Sequence, residues 1–300
     1  MLITVNGAPL AIEAKDSANL GELLAGADDL LDRAGSVIVS LKVDGEEVDA
    51  DGYARFAEMP SASVSSVEIR AEDAAAIRIR ALETLLELLA ISKRSAEDTA
   101  AEDTTAVWPG LRTGARDMRD AFAGLFAADE LSFVQLFSDI LDRAGDKPDN
   151  AARVELSAQS DRLKGIFDER LAELRHPAEE MRAAASLFDA RSEELADLPV
   201  LLQTGKEDQA MKAVLYFVEI FNKVIRIIPE LRRSGIDTAS IFVGGSAMPD
   251  FYGEFNGVLR QLTDAFERKD AVLIGDLAEY EVLPRMRSFF GAMREALPES

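Results

Sequence analysis

The fold of the N-terminal part is decided by residues 1–45, MLITVNGAPLAIEAKDSANLGELLAGADDLLDRAGSVIVSLKVDG. Apolar residues recur every three or four positions over residues 20–31, which predicts one face of a helix, whereas Ser36–Val43 has the pattern of a strand. Asn6-Gly7 and Asp44-Gly45 favour the positive φ angles of tight hairpin turns. The stretch therefore predicts one helix between strands, with the strands at residues 2–5, 11–15 and 36–43.

Two further short strands are predicted at residues 46–48 and 64–70. The order of two strands, one helix and three strands resembles the β-grasp (ubiquitin-like) fold over residues 1–72. β-grasp proteins that act as modifiers or sulfur carriers end in an exposed Gly-Gly, whereas this chain continues through Arg70-Ala71-Glu72-Asp73 into a predicted helix. The resemblance therefore implies the fold alone, and we expect a docking or packing module.

From residue 73 onward the sequence predicts helices almost throughout, with breaks at residues 95–105 and 232–251. The most apolar helix, residues 207–228, is expected to lie centrally in the bundle or in a homodimer interface. Its predicted buried residues are Leu215, Phe217, Val218, Phe221 and Ile225, and its predicted polar stripe is Glu219, Asn222, Lys223 and Arg226. The predicted fold class is α+β, with a β-grasp domain at residues 1–72 and an all-α helical bundle at residues 73–300.

Charge and composition argue against several classes of function. The net charge of −22 disfavours binding to nucleic-acid phosphates and to anionic lipids. The chain has no cysteine, which excludes disulfides, thiolate zinc sites and cysteine nucleophiles. Its single histidine, His176, precedes Pro177 at a predicted helix junction and is expected to be a surface or loop-packing residue. No basic segment precedes an apolar run after Met1, so we expect no signal peptide, no membrane association and a cytoplasmic location.

Two motif matches lack residues that the corresponding sites require. Thr204-Gly205-Lys206 is similar to the end of a phosphate-binding loop, but Val200 stands where that motif needs a glycine and Glu207 where it needs Ser or Thr. A carboxylate-bridged di-iron site would need Glu-x-x-His pairs, which a single histidine cannot supply. The acids that could have formed it are interpreted as solvated: Glu193, Glu194, Asp197, Glu279 and Glu281. We therefore predict no cofactor and no catalytic residue.

A third match has the spacing of a calcium loop. The residues at positions one, three, five, six and twelve are Glu47, Asp49, Asp51, Gly52 and Glu58. A predicted strand precedes this loop, however, and Pro60 interrupts any helix that would follow it. A calcium loop depends on flanking helices to hold its carboxylates, so the prediction is a loop with solvated acids and no tight calcium binding.

A second resemblance lies in the helical half. Residues 266–281, FERKDAVLIGDLAEYE, together with residues 201–206, LLQTGK, resemble a family of uncharacterised bacterial helical proteins with a KDxVLIGDLxEYExxP pattern. This resemblance implies no activity. Lys269-Asp270 followed by an apolar helix is also similar to flagellin export chaperones, which implies binding of a partly unfolded protein. Pro284 predicts a kink or break in the last helix.

Asp276 and Glu279 are the predicted partner-binding residues. They lie three positions apart on a predicted helix and so share a face, while Leu273, Leu277 and Tyr280 are expected to pack inward. An acidic stripe beside an apolar seam can attract a basic, partly unfolded protein partner.

Two classes of function remain open from the sequence. The favoured hypothesis is a non-catalytic cytoplasmic scaffold, adaptor or chaperone-like protein that binds another protein. The alternative is an enzyme whose site is assembled from scattered Asp, Glu, Lys, Arg and Tyr residues of the helical domain. Convergent acids in an enclosed polar pocket would favour the enzyme, and an open apolar groove would favour the binding protein.

Overall fold

The computed structural model describes residues 1–11, 19–49, 55–98 and 107–298. The predicted α+β class is confirmed, with a small mixed sheet at the N-terminus followed by helices. The chain divides into two compact units, Met1–Leu171 and Ala172–Ser300. The predicted domain boundary after residue 72 lies within the first unit and stays a prediction.

The N-terminal sheet has five strands in the order β2-β1-β5-β3-β4. β1 and β5 are parallel, and the other neighbouring strands are antiparallel. The strands are β1 (Leu2–Val5), β2 (Ala8–Pro9), β3 (Ser36–Val43), β4 (Glu46–Glu47) and β5 (Ser66–Asp73), and the helix between β2 and β3 is α1 (Leu20–Arg33). β2 precedes the strand predicted at residues 11–15, and residues 12–15 of that prediction lie outside the described part of the chain.

The α1 helix forms for the local reasons that the sequence indicates. The Asn19 side chain accepts a hydrogen bond from the Glu22 backbone N–H at 2.9 Å and so caps the first turn. Leu20, Leu24 and Ala27 are buried against the sheet residues Leu41, Val43, Val67 and Ile69. This apolar face holds the helix on one side of the sheet.

The first unit continues with helices before and after residues 99–106, which lie outside the described part of the chain. They are α2 (Ala74–Glu97), α3 (Val107–Phe122), α4 (Ala128–Ala144) and the part of α5 (Asn150–Arg175) up to residue 171. The Asp73 carboxylate accepts a hydrogen bond from the Ala76 N–H at 2.7 Å, so α2 begins directly after β5. Large side chains that are fully buried in these helices include Trp108, Phe122, Phe137 and Phe167.

The second unit is a bundle with one short hairpin. Its helices are α6 (Pro177–Arg191), α7 (Glu193–Ala196), α8 (Leu198–Gln203), α9 (Glu207–Arg233), α10 (Met248–Glu267), α11 (Ala271–Asp276) and α12 (Leu283–Ala296). The stretch predicted to be irregular contains β6 (Phe242–Val243) and β7 (Ser246–Ala247), which are joined by Gly244-Gly245 with φ angles of 59° and 92°. Phe188 and Phe290 lie 5.1 Å apart between ring centroids in the core of this unit.

The α9 helix is buried on a different face from the predicted one. Phe217 is buried, as expected, but Leu215 is 54% exposed, and Val218 and Ile225 also lie at the surface. The buried residues of α9 are Ala210, Ala213, Phe217, Ile220, Lys223, Val224, Ile227, Ile228, Glu230 and Leu231. Composition predicted an apolar helix correctly but could not show which side its neighbours cover.

The predicted polar stripe on α9 is also partly wrong. Glu219 and Asn222 are exposed, but Lys223 is buried with its Nζ 2.7 Å from a Glu180 carboxylate oxygen. Arg226 makes two hydrogen bonds to Glu173, at 2.9 and 3.1 Å. Lys223 and Arg226 are thus paired with acids from neighbouring segments, which compensates their burial.

The predicted break near Pro284 is confirmed. A π-helical turn spans Leu277–Val282, between α11 and α12. Proline has no N–H to donate to the preceding turn, and its ring crowds the carbonyl four residues earlier, here that of Tyr280. A π-helical turn holds an extra residue and so changes the direction of the side chains that follow.

In the described ranges, no helix combines the length and the apolar character that a membrane span requires.

Candidate functional site

The predicted acidic pair lies at the end of α11 and in the π-helical turn. Asp276 is the last residue of α11 and is exposed, whereas Glu279 is half-buried. The Asp270 carboxylate caps α11 by accepting a hydrogen bond from the Leu273 N–H at 3.1 Å. Within the described part of the chain, neither Asp276 nor Glu279 forms an ion pair.

Tyr280 lies beside these acids and points outward. Its side chain is 65% exposed, although the sequence predicted that Leu273, Leu277 and Tyr280 would pack inward together. Leu277 is buried, but Leu273 is 38% exposed, so the prediction was wrong for two of the three. Tyr280 lies within the π-helical turn, where a spacing of 3.6 residues per turn no longer applies, whereas Leu273 precedes that turn.

The two neighbouring carboxylates affect the pKa of Tyr280. The negative charge of Glu279, hydrogen bonding to the same carboxylate, and the charge of Asp276 raise the pKa of the exposed Tyr280 phenol. Val272, one turn before Asp276, is also 65% exposed. We call Val272, Asp276, Glu279 and Tyr280 the acidic-aromatic patch. Its two carboxylates, aromatic ring and apolar side chain can together contact a cationic, amphipathic segment.

A close backbone contact positions α11 beneath the patch. A Cβ atom built on Gly275 would lie 2.6 Å from Cγ and 2.9 Å from Cβ of Pro199, which belongs to α8. Real Cβ contacts are not this short, so α11 and α8 approach each other as closely as they do only because residue 275 is glycine. In the sequence, a glycine inside an apolar helix can indicate a close contact of this kind. The sequence does not indicate that Pro199 is the residue in contact with Gly275.

An apolar groove lies elsewhere in the second unit, between α9 and α10. Its volume is about 320 Å³, and among the described residues its only polar lining side chains are Asn222 and Thr263. Phe221 of α9 and Phe255 of α10 contact each other at 5.1 Å between ring centroids. The other lining residues are Leu195, Val214, Phe217, Val218, Ile225, Leu259, Leu262, Phe266, Val282 and Met286. The groove offers burial to apolar groups but no ionisable side chain for acid–base chemistry.

Comparison with known proteins places both surfaces in one segment. Residues 179–290 match the domain of unknown function DUF8042. The groove and the acidic-aromatic patch lie inside this DUF8042-like segment, as does the KDxVLIGDLxEYExxP pattern. Residues 1–72 match the family model described as the TP0873 N-terminal domain.

One relative shares part of the sequence. It is a protein of Treponema pallidum (strain Nichols), described as uncharacterized, and it is 25% identical over 107 residues. The match covers 36% of this chain and 53% of the relative, so the chain spans about half of the relative's length. No solved structure matches the chain.

The calcium-loop candidates are only partly described. Asp51 and Gly52 lie outside the described residues, and so the prediction of no tight calcium binding stays a prediction. Glu47 and Asp49 are exposed at and after β4, and Glu58 is exposed before Pro60. Among the residues that the structure describes, no three His, Asp or Glu side chains are grouped to hold a metal ion.

His176 immediately precedes α6 and is exposed, as predicted for a surface residue. Its Nδ1 lies 4.0 Å from a Glu179 carboxylate oxygen, which is longer than a hydrogen bond. Of the five acids interpreted as solvated, two form ion pairs with nearby arginines, Glu194 with Arg191 and Glu281 with Arg285. Arg191 lowers the pKa of Glu194 through a hydrogen bond and its charge.

Proposed function

We propose that the protein is a non-catalytic, cytoplasmic protein-binding protein, acting as a scaffold, adaptor or chaperone-like factor. Its partner-binding surface is the acidic-aromatic patch, with Asp276 and Glu279 as the residues that attract the partner. The partner segment is basic and partly unfolded before it binds. The observation that carries this proposal is the exposure of Tyr280 between two carboxylates without ion pairs.

The chemistry of the patch favours a segment that contains arginine. A guanidinium group can stack on the face of a tyrosine while it donates hydrogen bonds to a carboxylate. Val272 adds an exposed apolar contact beside this pair of interactions. The net charge of −22 supports the same choice, because it attracts basic partners over long distances and repels acidic ones.

The groove supports a binding protein over the alternative of an enzyme. An enzyme of the kind considered above needs ionisable groups that converge on an enclosed pocket. The described lining of the groove contains no ionisable residue. Such a surface binds apolar groups, and exposed apolar patches commonly mark protein interaction sites.

The N-terminal sheet supports a second part of the proposal. Its strand order β2-β1-β5-β3-β4, with parallel β1 and β5 and α1 packed on one face, supports a β-grasp fold for residues 1–72. β5 continues directly into α2 at Asp73, so this strand is followed by a helix and not by an exposed Gly-Gly tail. We propose that this part is a docking or packing module and that it is not conjugated to other proteins.

Binding of a model peptide tests the function of the patch. The probe is a fluorescent amphipathic peptide of alternating arginine and leucine, compared with the same peptide carrying glutamate for arginine. We expect the arginine peptide to bind and the glutamate peptide not to bind, as measured by fluorescence anisotropy. The D276N/E279Q variant should weaken binding about 2- to 30-fold, because two ion pairs at the surface contribute about 0.4 to 2 kcal/mol together. Tyr280→Ala should weaken it about 2- to 5-fold through loss of the cation–π contact.

The matched control is D264N/E267Q. Asp264 and Glu267 are exposed on α10 with the same three-residue spacing and the same residue types. This variant carries the same change in net charge and should bind the arginine peptide like the unmodified protein. Equal losses in the two double variants would show a general charge effect, and the patch would then not be the binding site.

A further inference from the structure

The α9 helix carries an exposed stripe with the spacing of a coiled coil. Its residues are Met211, Leu215, Val218, Asn222 and Ile225, and they follow each other at alternating intervals of four and three. All five are exposed, and the four apolar ones are between 45% and 54% exposed. In a heptad, Met211, Val218 and Ile225 occupy d positions, while Leu215 and Asn222 occupy a positions. A stripe of this kind normally packs against another helix.

The side of the stripe that borders the groove is also apolar. Val214 and Phe221 occupy the g positions next to the stripe, and both line the groove. On the opposite side, the e positions hold Lys212, Glu219 and Arg226. Arg226 is bound to Glu173, whereas Lys212 and Glu219 are exposed and form no ion pair within the described part of the chain.

We propose that the stripe binds α9 of a second copy of the same chain, in antiparallel orientation and with Leu215 opposite Val218. This interface is separate from the acidic-aromatic patch and does not depend on it. It makes the protein a homodimer in which the stripe residues that also line the groove, Val218, Asn222 and Ile225, lie in the contact.

The charges beside the stripe select both the partner and the alignment. In an antiparallel pair, e positions meet e positions and g positions meet g positions. With Leu215 opposite Val218, Lys212 lies beside Glu219 of the second copy, and symmetry repeats this opposite-charge pair. The g positions then place Val214 beside Phe221 of the second copy, again twice. The Lys212–Glu219 and Val214–Phe221 pairs therefore match charge with opposite charge and apolar side chain with apolar side chain.

Other alignments lack this complementarity. Moving the antiparallel pair by one heptad brings Glu219 beside Glu219 of the second copy and Lys212 beside Arg226, which are like charges. In a parallel pair, Glu219 and Arg226 lie beside the apolar g residues Val214 and Phe221, and only Lys212 meets an acid, Glu207. The alignment that we propose is thus the one in which the exposed lysine and glutamate both gain partners.

Charge exchange combined with sedimentation velocity tests the interface. Over a series of concentrations, the unmodified protein should show a reversible dimer. Lys212→Glu and Glu219→Lys should each raise the dissociation constant of the dimer. The expected increase is about 2- to 30-fold, which corresponds to the loss of two exposed ion pairs. The double variant K212E/E219K should restore it, because each pair then regains opposite charges. Both residues are exposed, so the variants are expected to fold.

Single cysteines test the alignment, since the chain has no cysteine of its own. L215C and V218C are prepared separately, mixed and oxidised. The mixture should form L215C–V218C dimers, whereas a parallel pair would link each variant to itself. A monomer at all concentrations, or single charge variants that dimerise like the unmodified protein, would overturn the proposal. Loss of the dimer with unchanged peptide binding at the patch would leave the proposed function standing.

Discussion

Gly275 shows how one residue positions the candidate site. It belongs to α11, which carries Asp276, and its missing side chain allows Pro199 of α8 to lie against the helix. The neighbouring cap at Asp270 and the π-helical turn after Asp276 determine the direction of the remaining patch residues. The acids themselves make few contacts, so their placement depends on small residues around them.

Gly275→Ala should destabilise the protein by about 1 to 3 kcal/mol, because a methyl group would overlap Pro199 in a packed interior. Chemical denaturation measures this change. The matched control is Gly291→Ala in α12, where an added Cβ meets no atom within 4 Å. That control should leave stability unchanged or raise it by up to about 1 kcal/mol, through the better helix propensity of alanine. Equal effects of the two substitutions would contradict the contact with Pro199.

At the scale of elements, α9 has two apolar faces with different roles. One face, which includes Phe217, is buried in the second unit, and the other carries the heptad stripe at the surface. Sequence periodicity detected an apolar helix with little polar surface, and it allowed either a central position or a dimer interface. The structure assigns the first role to the Phe217 face, and we propose the second for the Leu215 face.

The two faces predict different effects of truncation. Phe217→Ala should lower the free energy of unfolding by about 3 to 5 kcal/mol, because it removes a buried aromatic side chain. Leu215→Ala should change it by no more than about 0.5 kcal/mol, as expected for an exposed position. Chemical denaturation at low protein concentration, where the monomer dominates, measures both. A loss above about 2 kcal/mol for Leu215→Ala would mean that this side chain is buried in the monomer.

The π-helical turn is the other element that changes the site. Pro284 predicts an interruption in the last helix, and the break is found directly before it. The break also turns Tyr280 outward, which converts a predicted core residue into the centre of the acidic-aromatic patch. The interruption at Pro284 is thus linked to the exposure of a residue several positions earlier in the chain.

For the whole molecule, the excess of acidic residues is the dominant electrostatic property. The chain has 55 Asp and Glu residues against 33 Lys and Arg residues. Many ion pairs lie at the surface, where each contributes little. Repulsion among the unpaired acids therefore destabilises the compact state at low ionic strength.

We expect added KCl to raise the melting temperature from low ionic strength up to about 0.15 M, because the Debye length falls to about 8 Å and screens this repulsion. Differential scanning calorimetry at constant pH measures the shift. Sucrose at matched osmolality is the control, since it carries no charge and does not screen. A melting temperature that falls with KCl would show that attractive ion pairs outweigh the repulsion.

The sequence by itself determined the α+β class, the α1 helix, β3 at Ser36–Val43 and the break near Pro284. These features depend on local periodicity, capping and turn chemistry, which act over a few neighbouring residues. Only the tertiary structure decided which face of α9 is buried, how Lys223 and Arg226 are paired, and that Tyr280 faces solvent. Each of these depends on segments distant in the chain, such as Glu173 and Glu180, or on a local change of helical phase that a fixed period of 3.6 residues does not describe.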